Sequence, residues 1–299
     1  MKATTAIVAE GGGQRGIYTA GVLDVLLERK LNPFDLGCGV SAGAQNLLAY
    51  FLGQHGFAKR AIAELTSKPD FLVPYRWLMQ RSVLDLDGYF DSTLQDPEYR
   101  LPYQRISTLG SRRRLVFVAT EKEFLESVYL EPDESTVLTY LKASSAVPFL
   151  YKGGVPFGDR LLVDGGVADP LPVRYAYEQG ARRILLVRTV PRAEPGDVSN
   201  GDAFIWRTRL ERARRFSAAP LKAVEMLERY EEVMQSTLEF INTPPADLEI
   251  TEVCPQRALN SLVFGSRSEA LVKDYAQGRL DGEKLVPLVE RWRLTNVAS

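Results

Sequence analysis

A serine between two glycines is the residue of this chain best placed to act as a nucleophile. Ser41 lies in the segment 39–43, GVSAG, after a run typical of a strand and before a run typical of a helix. A tight strand-to-helix turn of this kind lifts a hydroxyl above the backbone, and small neighbours leave it accessible. Ser41 is therefore a candidate for attack on a carbonyl carbon.

A glycine-rich loop earlier in the chain is a candidate for stabilising the resulting oxyanion. Residues 11–16, GGGQRG, follow the apolar run 6–9, and Gly13 lies 28 positions before Ser41. This is close to the length of a strand-helix-strand crossover, which returns the second strand parallel to the first. Both loops should then leave the sheet at its carboxyl edge, where backbone N–H groups can face a reacting carbonyl.

The proton acceptor is predicted to be a carboxylate, because the chain has one histidine. His55 follows Ser41 by 14 residues, beyond the intervening helix. At roughly 1.5 Å per helical residue, it should lie about 20 Å away. Asp164 instead follows the short apolar run 161–163 and precedes two glycines, so it can approach another loop closely. Burial can raise the basicity of such an acid, and we therefore predict a Ser-Asp dyad.

The three motifs taken in order resemble a known family. Segments 11–16, 39–43 and 164–166 resemble those of the patatin-like phospholipases, and residues 143–148, ASSAVP, are similar to that family's Ala-Ser-x-Ala-x-Pro stretch. The resemblance extends over residues 4–189. A lone G-x-S-x-G segment has little specificity, whereas three motifs in the expected order at predicted strand ends are far more specific.

The resemblance implies both a fold and an activity. The expected fold is an α/β, three-layer α/β/α sandwich with a mostly parallel central sheet, followed here by a helical C-terminal extension. The expected activity is hydrolysis of the acyl esters of lipids by a Ser41–Asp164 dyad with an oxyanion hole from the glycine loop. One departure is Glu10, which stands where the family often has Asp.

The predicted site falls into catalytic, oxyanion-binding and supporting residues. The catalytic pair is Ser41 and Asp164. The oxyanion hole is assigned to Gly11, Gly12, Gly13, Arg15 and Ala42. The supporting residues are Gly16, Gly39, Gly43, Gly165 and Gly166. For Arg15, holding the glycine loop, sensing the oxyanion and being a plain surface charge all remain open.

Composition narrows the class of protein. The chain of 299 residues has a net charge of −1 and a pI near 6.1, which gives no reason to expect a nucleic-acid partner. Two cysteines imply no disulfide framework. We expect a cytoplasmic protein, possible peripheral contact with the inner membrane surface, a lipid or acyl-ester substrate, and neither a metal nor another cofactor. The sequence leaves the oligomeric state undetermined.

The predicted domains are a catalytic unit, 1–199, and a mainly helical extension packed on it, 200–299. Residues 68–103 are expected to be irregular and to form either a lid or a surface crossing. The arginines between 207 and 215 could bind lipid headgroups or lie on a solvated helix face. A thioesterase, an acyltransferase and a catalytically silent lipid-binding regulator remain alternatives to the hydrolase.

Overall fold

The computed structural model describes residues 5–110, 113–192 and 221–297. These residues form one mixed sheet with helices on both faces. The strands are β1 (Thr5–Ala9), β2 (Leu36–Val40), β3 (Arg114–Glu121), β4 (Ser127–Leu130), β5 (Val155–Phe157), β6 (Arg160–Asp164), β7 (Arg183–Val187) and β8 (Glu249–Val253). The helices are α1 (Gly16–Glu28), α2 (Ala42–Phe51), α3 (Phe57–Glu64), α4 (Leu86–Gln95), α5 (Val137–Ser145), α6 (Val173–Glu178), α7 (Leu221–Asn242) and α8 (Ser268–Val297).

The sheet is parallel through its centre. Its order is β5-β6-β3-β2-β1-β7-β8, and β4 also pairs with β3. Strands β3, β2, β1, β7 and β8 are parallel, while β4 and β6 run antiparallel to β3, and β5 runs antiparallel to β6. The predicted parallel direction of the first two strands is confirmed, and β1 and β2 are direct neighbours, so the glycine loop and Ser41 leave the sheet at the same edge.

Strand alternation divides the core into two layers. Side chains such as Ile7, Phe117 and Val187 pack on one face with α1, α2 and α8. Val8 and Leu186 pack on the opposite face with α6 and α7. Because successive residues of a strand point to opposite faces, the apolar central strands can serve both layers. The three-layer α/β/α architecture is therefore confirmed.

The last helix is longer than its sequence pattern indicates. The sequence predicts a helix near 268–277, but α8 continues through Gly278 and Pro287. A Cβ at Gly278 would lie 2.1 Å from the carbonyl oxygen of Tyr18. Close packing on α1 therefore requires a glycine inside this helix, and tertiary contact overrides the local stop signal.

The segment after residue 220 contributes one strand, β8, to the central sheet. Strand β8 pairs in parallel with β7, and α8 packs along α1. The predicted boundary between 199 and 200, like the arginines of 207–215, lies outside the described residues, so this division stays a prediction. Within 68–103, where irregular structure is expected, α4 forms with Asp85 as its N-cap. None of the helices described here has the length and hydrophobicity needed to cross a membrane.

Candidate active site

Ser41 occupies a sharp turn between β2 and α2. Its backbone has φ 53° and ψ −122°, a strained conformation for a residue with a side chain. The turn is tight because a Cβ at Gly39 would lie 2.5 Å from the backbone of α2, and one at Gly43 would lie 2.3 Å from the Ala9 carbonyl. The Ser41 N–H donates to the hydroxyl of Ser144 in α5 at 2.9 Å, which holds the turn in place.

Asp164 reaches the same edge of the sheet from the opposite direction. Strand β6 is antiparallel to β3, and Asp164 pairs with Ala119, two residues before β3 ends. Its N–H donates to the Ala146 carbonyl at 3.0 Å. A Cβ at Gly165 would lie 2.2 Å from the Val118 carbonyl oxygen, so this crossing needs a glycine. The acid is thus held by backbone contacts on two sides.

The carboxyl group of Asp164 is buried and hydrogen-bonded. One oxygen accepts the Gly166 N–H at 2.8 Å. Burial raises the pKa of Asp164 to about 6, while hydrogen bonds from the Gly166 N–H and the Ser41 hydroxyl oppose that rise. At neutral pH the group is therefore mostly a carboxylate, with a basicity well above that of an exposed aspartate.

The glycine loop presents backbone donors beside Ser41. Gly12 and Gly13 have φ values of 135° and 56°, and a Cβ at Gly11 would lie 3.2 Å from the Ser41 Cβ. Across the described ranges, no protein group accepts the N–H groups of these three glycines or of Ala42. Four donors near one hydroxyl form the kind of arrangement that can bind an oxyanion.

An apolar cavity of about 300 Å³ contains Ser41, Asp164 and the glycine loop in its wall. The remaining wall comes from segments far apart in the chain. They are 71–89, 147–149, the first turns of α7, and residues 263–264. The apolar lining suits a hydrocarbon chain.

Other candidate residues take the positions expected for them. Ser144 and Ser145 lie near the site, and Ser145 accepts a 3.3 Å hydrogen bond from Gln45. His55 is exposed, pairs with Glu28 at 2.8 Å and does not line the cavity. Cys38 is buried in the sheet, and desolvation raises the pKa of its thiol far above the usual value.

Two known protein families match parts of this chain. Residues 7–177 match the model of the patatin-like phospholipases. The chain belongs to this family. Patatin-like phospholipases act on the ester bonds of lipids, so family membership supports an acyl hydrolase in general terms. A second family model, a domain of unknown function (DUF6363), matches residues 221–293.

Relatives of this patatin-like chain include a bacterial protein and two solved structures. The uncharacterized protein YjjU of Escherichia coli (strain K12) is 36% identical over 288 residues, which cover 95% of this chain and 77% of YjjU. VipD from Legionella pneumophila is 14% identical, with a TM-score of 0.45, over 96% of this chain and 67% of VipD. Human GIVD cytosolic phospholipase A2, in complex with a fluorophosphonate inhibitor, is 12% identical, with a TM-score of 0.49, over 99% of this chain and 60% of its own.

In this member of the family, the glycine loop is tied to the residues that follow β7. The Glu10 carboxylate accepts the Thr189 N–H at 2.6 Å, and the Thr189 hydroxyl donates to the Gly11 carbonyl at 2.8 Å. Glu10, which stands where the family often has Asp, therefore holds the glycine loop in place through Thr189. The sequence analysis missed Thr189, although its position just after a predicted strand was a usable signal.

Arg15 lies across the glycine loop. Its Nε and Nη2 atoms are 3.2 Å from the position that a Cβ on Gly12 would take. This contact fits the loop-holding role among those left open for Arg15. Gly16, the last glycine of the motif, is close to Ala42, since a Cβ on Gly16 would lie 3.0 Å from the Ala42 Cβ.

The segment matching DUF6363 holds the other side of the glycine loop. We call residues 260–266 the buttress loop. Its Val263 carbonyl accepts the Gln14 N–H at 2.9 Å, and the Ser266 N–H donates to the Gln14 side chain at 2.7 Å. Nothing in the sequence analysis indicated these contacts.

Asp274 in turn fixes the buttress loop. Its buried carboxylate accepts the N–H and side-chain amide of Asn260 at 3.1 and 2.7 Å. It also accepts the N–H and hydroxyl of Ser261, both at 2.6 Å. Four donors on one carboxylate form a rigid anchor. These contacts connect α8, through the buttress loop, to Gln14 in the glycine loop.

Proposed function

We propose that this chain is a lipid acyl hydrolase with Ser41 as its nucleophile and Asp164 as its proton acceptor. The observation that carries the proposal is that Ser41 and Asp164, a buried carboxyl group whose pKa is raised to about 6, line the wall of the same apolar cavity, where the Ser41 hydroxyl opposes the rise in that pKa. A nucleophile beside a base of suitable pKa is the arrangement that acyl transfer needs.

The proposed cycle has two halves. In the first, Asp164 accepts the Ser41 proton as the hydroxyl oxygen attacks the acyl carbonyl, and the alcohol leaves with that proton. In the second, Asp164 accepts a proton from water as the water oxygen attacks the acyl-enzyme, and Asp164 then returns that proton to the Ser41 oxygen as the bond to the acyl group breaks and the fatty acid leaves. The N–H groups of Gly11, Gly12, Gly13 and Ala42 stabilise the oxyanion in both halves.

The substrate is proposed to be an ester of a long acyl chain. The cavity wall is built mainly from aliphatic and aromatic side chains, among them Phe71, Leu84 and Met226. Burying a hydrocarbon chain there is favourable by about 0.8 kcal/mol for each methylene removed from water. The contribution from α7 means that both family-matched segments would contact the acyl chain.

The test uses a water-soluble p-nitrophenyl ester and a phospholipid with the wild type and three variants. Ser41→Ala and Asp164→Asn should each lower kcat by about a thousandfold or more, whereas His55→Ala should behave as wild type. All proteins should keep the same circular dichroism. Full activity in Asp164→Asn would overturn the dyad. A wild type that cleaves neither ester and is not labelled at Ser41 by a fluorophosphonate would favour the lipid-binding alternative.

A further inference from the structure

The short 3-10 helix Pro74–Met79 exposes a cluster of large apolar side chains. Four of its six residues, Tyr75, Trp77, Leu78 and Met79, are between 61% and 77% exposed. Single exposed apolar residues are ordinary, but a contiguous cluster marks an interaction surface. We call these four side chains the apolar tip.

The base of this segment is held in place. The Val73 N–H donates to the Val83 carbonyl at 2.9 Å, so the two ends of the segment lie together. The N–H groups of Val83 and Leu84 both donate to the Leu150 carbonyl, at 2.7 and 3.0 Å. The apolar tip therefore projects from a fixed base.

Residues at the base of the apolar tip also line the active-site cavity. Phe71 and Leu84, on either side of the segment, both line the cavity. Phe149 precedes the Leu150 carbonyl that holds the base, also lines the cavity and is 51% exposed. A lipid bound at the tip would therefore lie beside the residues that form the cavity wall.

The charges next to the tip favour an anionic partner. Two acids near its base are neutralised by ion pairs, which are Arg76–Asp85 and Lys142–Asp87. Arg81 and Lys152 are exposed and form no ion pair within the described ranges. The Lys152 ammonium donates a hydrogen bond to the Gln80 carbonyl at 2.8 Å. Two cations beside an apolar cluster match an anionic bilayer, where lipid headgroups lie above the acyl chains.

We propose that the apolar tip and Phe149 form a membrane-docking surface that inserts into an anionic lipid bilayer. Tyr and Trp favour the membrane interface, and Leu and Met gain free energy by leaving water. Arg81 and Lys152 contact the headgroups. The docking itself does not depend on catalysis, whereas the transfer of acyl chains into the cavity rests on the proposed function.

The first experiment measures binding without turnover. Ser41→Ala protein is cosedimented with vesicles of phosphatidylcholine and phosphatidylglycerol in equal parts, with and without the triple change Trp77→Ser, Leu78→Ser and Met79→Ser. The triple variant should bind at least about tenfold more weakly. A matched control, Val272→Ser with Leu280→Ser, changes residues of α8 that are 60% and 61% exposed and should bind normally. Equal binding by the tip variant and this control would overturn the proposal.

A second pair of measurements tests the charges and the choice of partner. Arg81→Gln and Lys152→Gln should each weaken binding to the anionic vesicles about fivefold, with no change on pure phosphatidylcholine. An equal loss on both vesicle types would overturn the headgroup contact. Light scattering of wild type and tip variant in solution tests a second copy of the chain as the partner. If the wild type is a dimer and the triple variant is a monomer, the membrane assignment is overturned.

The third measurement separates this inference from the proposed function. With an active Ser41, the tip variant should cleave the soluble ester like wild type but hydrolyse vesicle phospholipid at least about tenfold more slowly. Normal hydrolysis of vesicles by the tip variant would overturn the docking surface and leave the hydrolase intact. A wild type that binds vesicles through the tip but cleaves neither substrate would overturn the hydrolase and leave the docking surface intact.

Discussion

At the scale of single residues, Asp164 combines two opposing influences on one carboxyl group. Burial raises its pKa to about 6, and hydrogen bonds to the ionised form limit the rise. Below that value the group is protonated and cannot accept the Ser41 proton. We therefore predict that kcat/KM for the soluble ester falls about tenfold for each pH unit below about 6 and levels off above about 7.

The pH profile is measured over a range in which the fold, followed by circular dichroism, does not change. His55→Ala and Asp169→Asn serve as controls, because His55 is the one histidine of the chain and burial raises the pKa of Asp169 to about 6 as well. The same inflection in wild type and both controls would assign it to Asp164. A flat profile from about pH 5 to 8 would contradict the assignment of Asp164 as the base.

Ser41 illustrates a cost in stability that the active site imposes. Its φ of 53° with ψ of −122° is a conformation that glycine adopts with less strain. We predict that Ser41→Gly is more stable than Ser41→Ala by about 1 kcal/mol, since glycine relieves the strain and alanine does not. Urea unfolding of the two inactive variants measures this difference. Equal stabilities would show that the turn is not strained.

The local geometry around Ser41 could be predicted because it is encoded in adjacent residues. The apolar run, the glycines on each side and the following helix lie within one short stretch, and parallel pairing follows from the crossover length. The approach of Asp164 to the loop that carries Ser41 was predicted, but the antiparallel direction of β6 was not. That direction depends on the pairing with β3, which no local pattern specifies.

At the scale of elements, Asp274 joins α8 to the glycine loop through the buttress loop. Its carboxylate holds Asn260 and Ser261, and the same loop meets Gln14. We predict that Asp274→Asn lowers kcat on the soluble ester about tenfold to a hundredfold with little change in KM, because misplaced oxyanion donors affect the transition state more than substrate binding.

A second buried acid on the same helix provides the control. Asp281 accepts hydrogen bonds from Tyr18 and Gln277 and, among the residues that the structure describes, makes no hydrogen bond to the buttress loop. Asp281→Asn should lower stability by about 1–3 kcal/mol, as Asp274→Asn also should, while kcat stays near wild type. Equal losses of kcat in the two variants would show that Asp274 contributes to the stability of the fold and does not position the glycine loop.

The buttress loop could not be predicted from the sequence, for a physical reason. Ser266 and Gln14 are 252 positions apart, and their contact depends on where the ends of several helices meet. The same applies to the cavity wall supplied by α7 and to α4 within a segment expected to be irregular. Periodicity indicates which face of an element is apolar, but not which distant element covers it.

At the scale of the whole molecule, α1 and α8 bring distant parts of the chain into one core. A Cβ at Gly278 would lie 2.1 Å from the Tyr18 carbonyl, so the two helices are in close contact there. Replacing glycine by alanine inside a helix ordinarily stabilises it by about 1 kcal/mol. Here we predict the opposite sign, a loss of about 2 kcal/mol or more, because the helices must separate.

Thermal unfolding tests this prediction. Gly278→Ala should lower Tm by about 5 °C or more in a single transition, since the helices belong to one packed core. Leu280→Ala, at an exposed position on the same helix, should change stability by less than about 0.5 kcal/mol. A more stable Gly278→Ala protein would show that the helices can separate at little cost.

The position of the buttress loop also matters while the protein is being made. A ribosome synthesises Ser41, the glycine loop and Asp164 long before Val263 and Asp274. Until those later residues emerge and fold, the glycine loop lacks the contact at Gln14 and the anchor behind it. A nascent chain thus carries a glycine loop that is held on one side only. On the proposed function, this order of synthesis would delay lipid cleavage until nearly the whole polypeptide has folded.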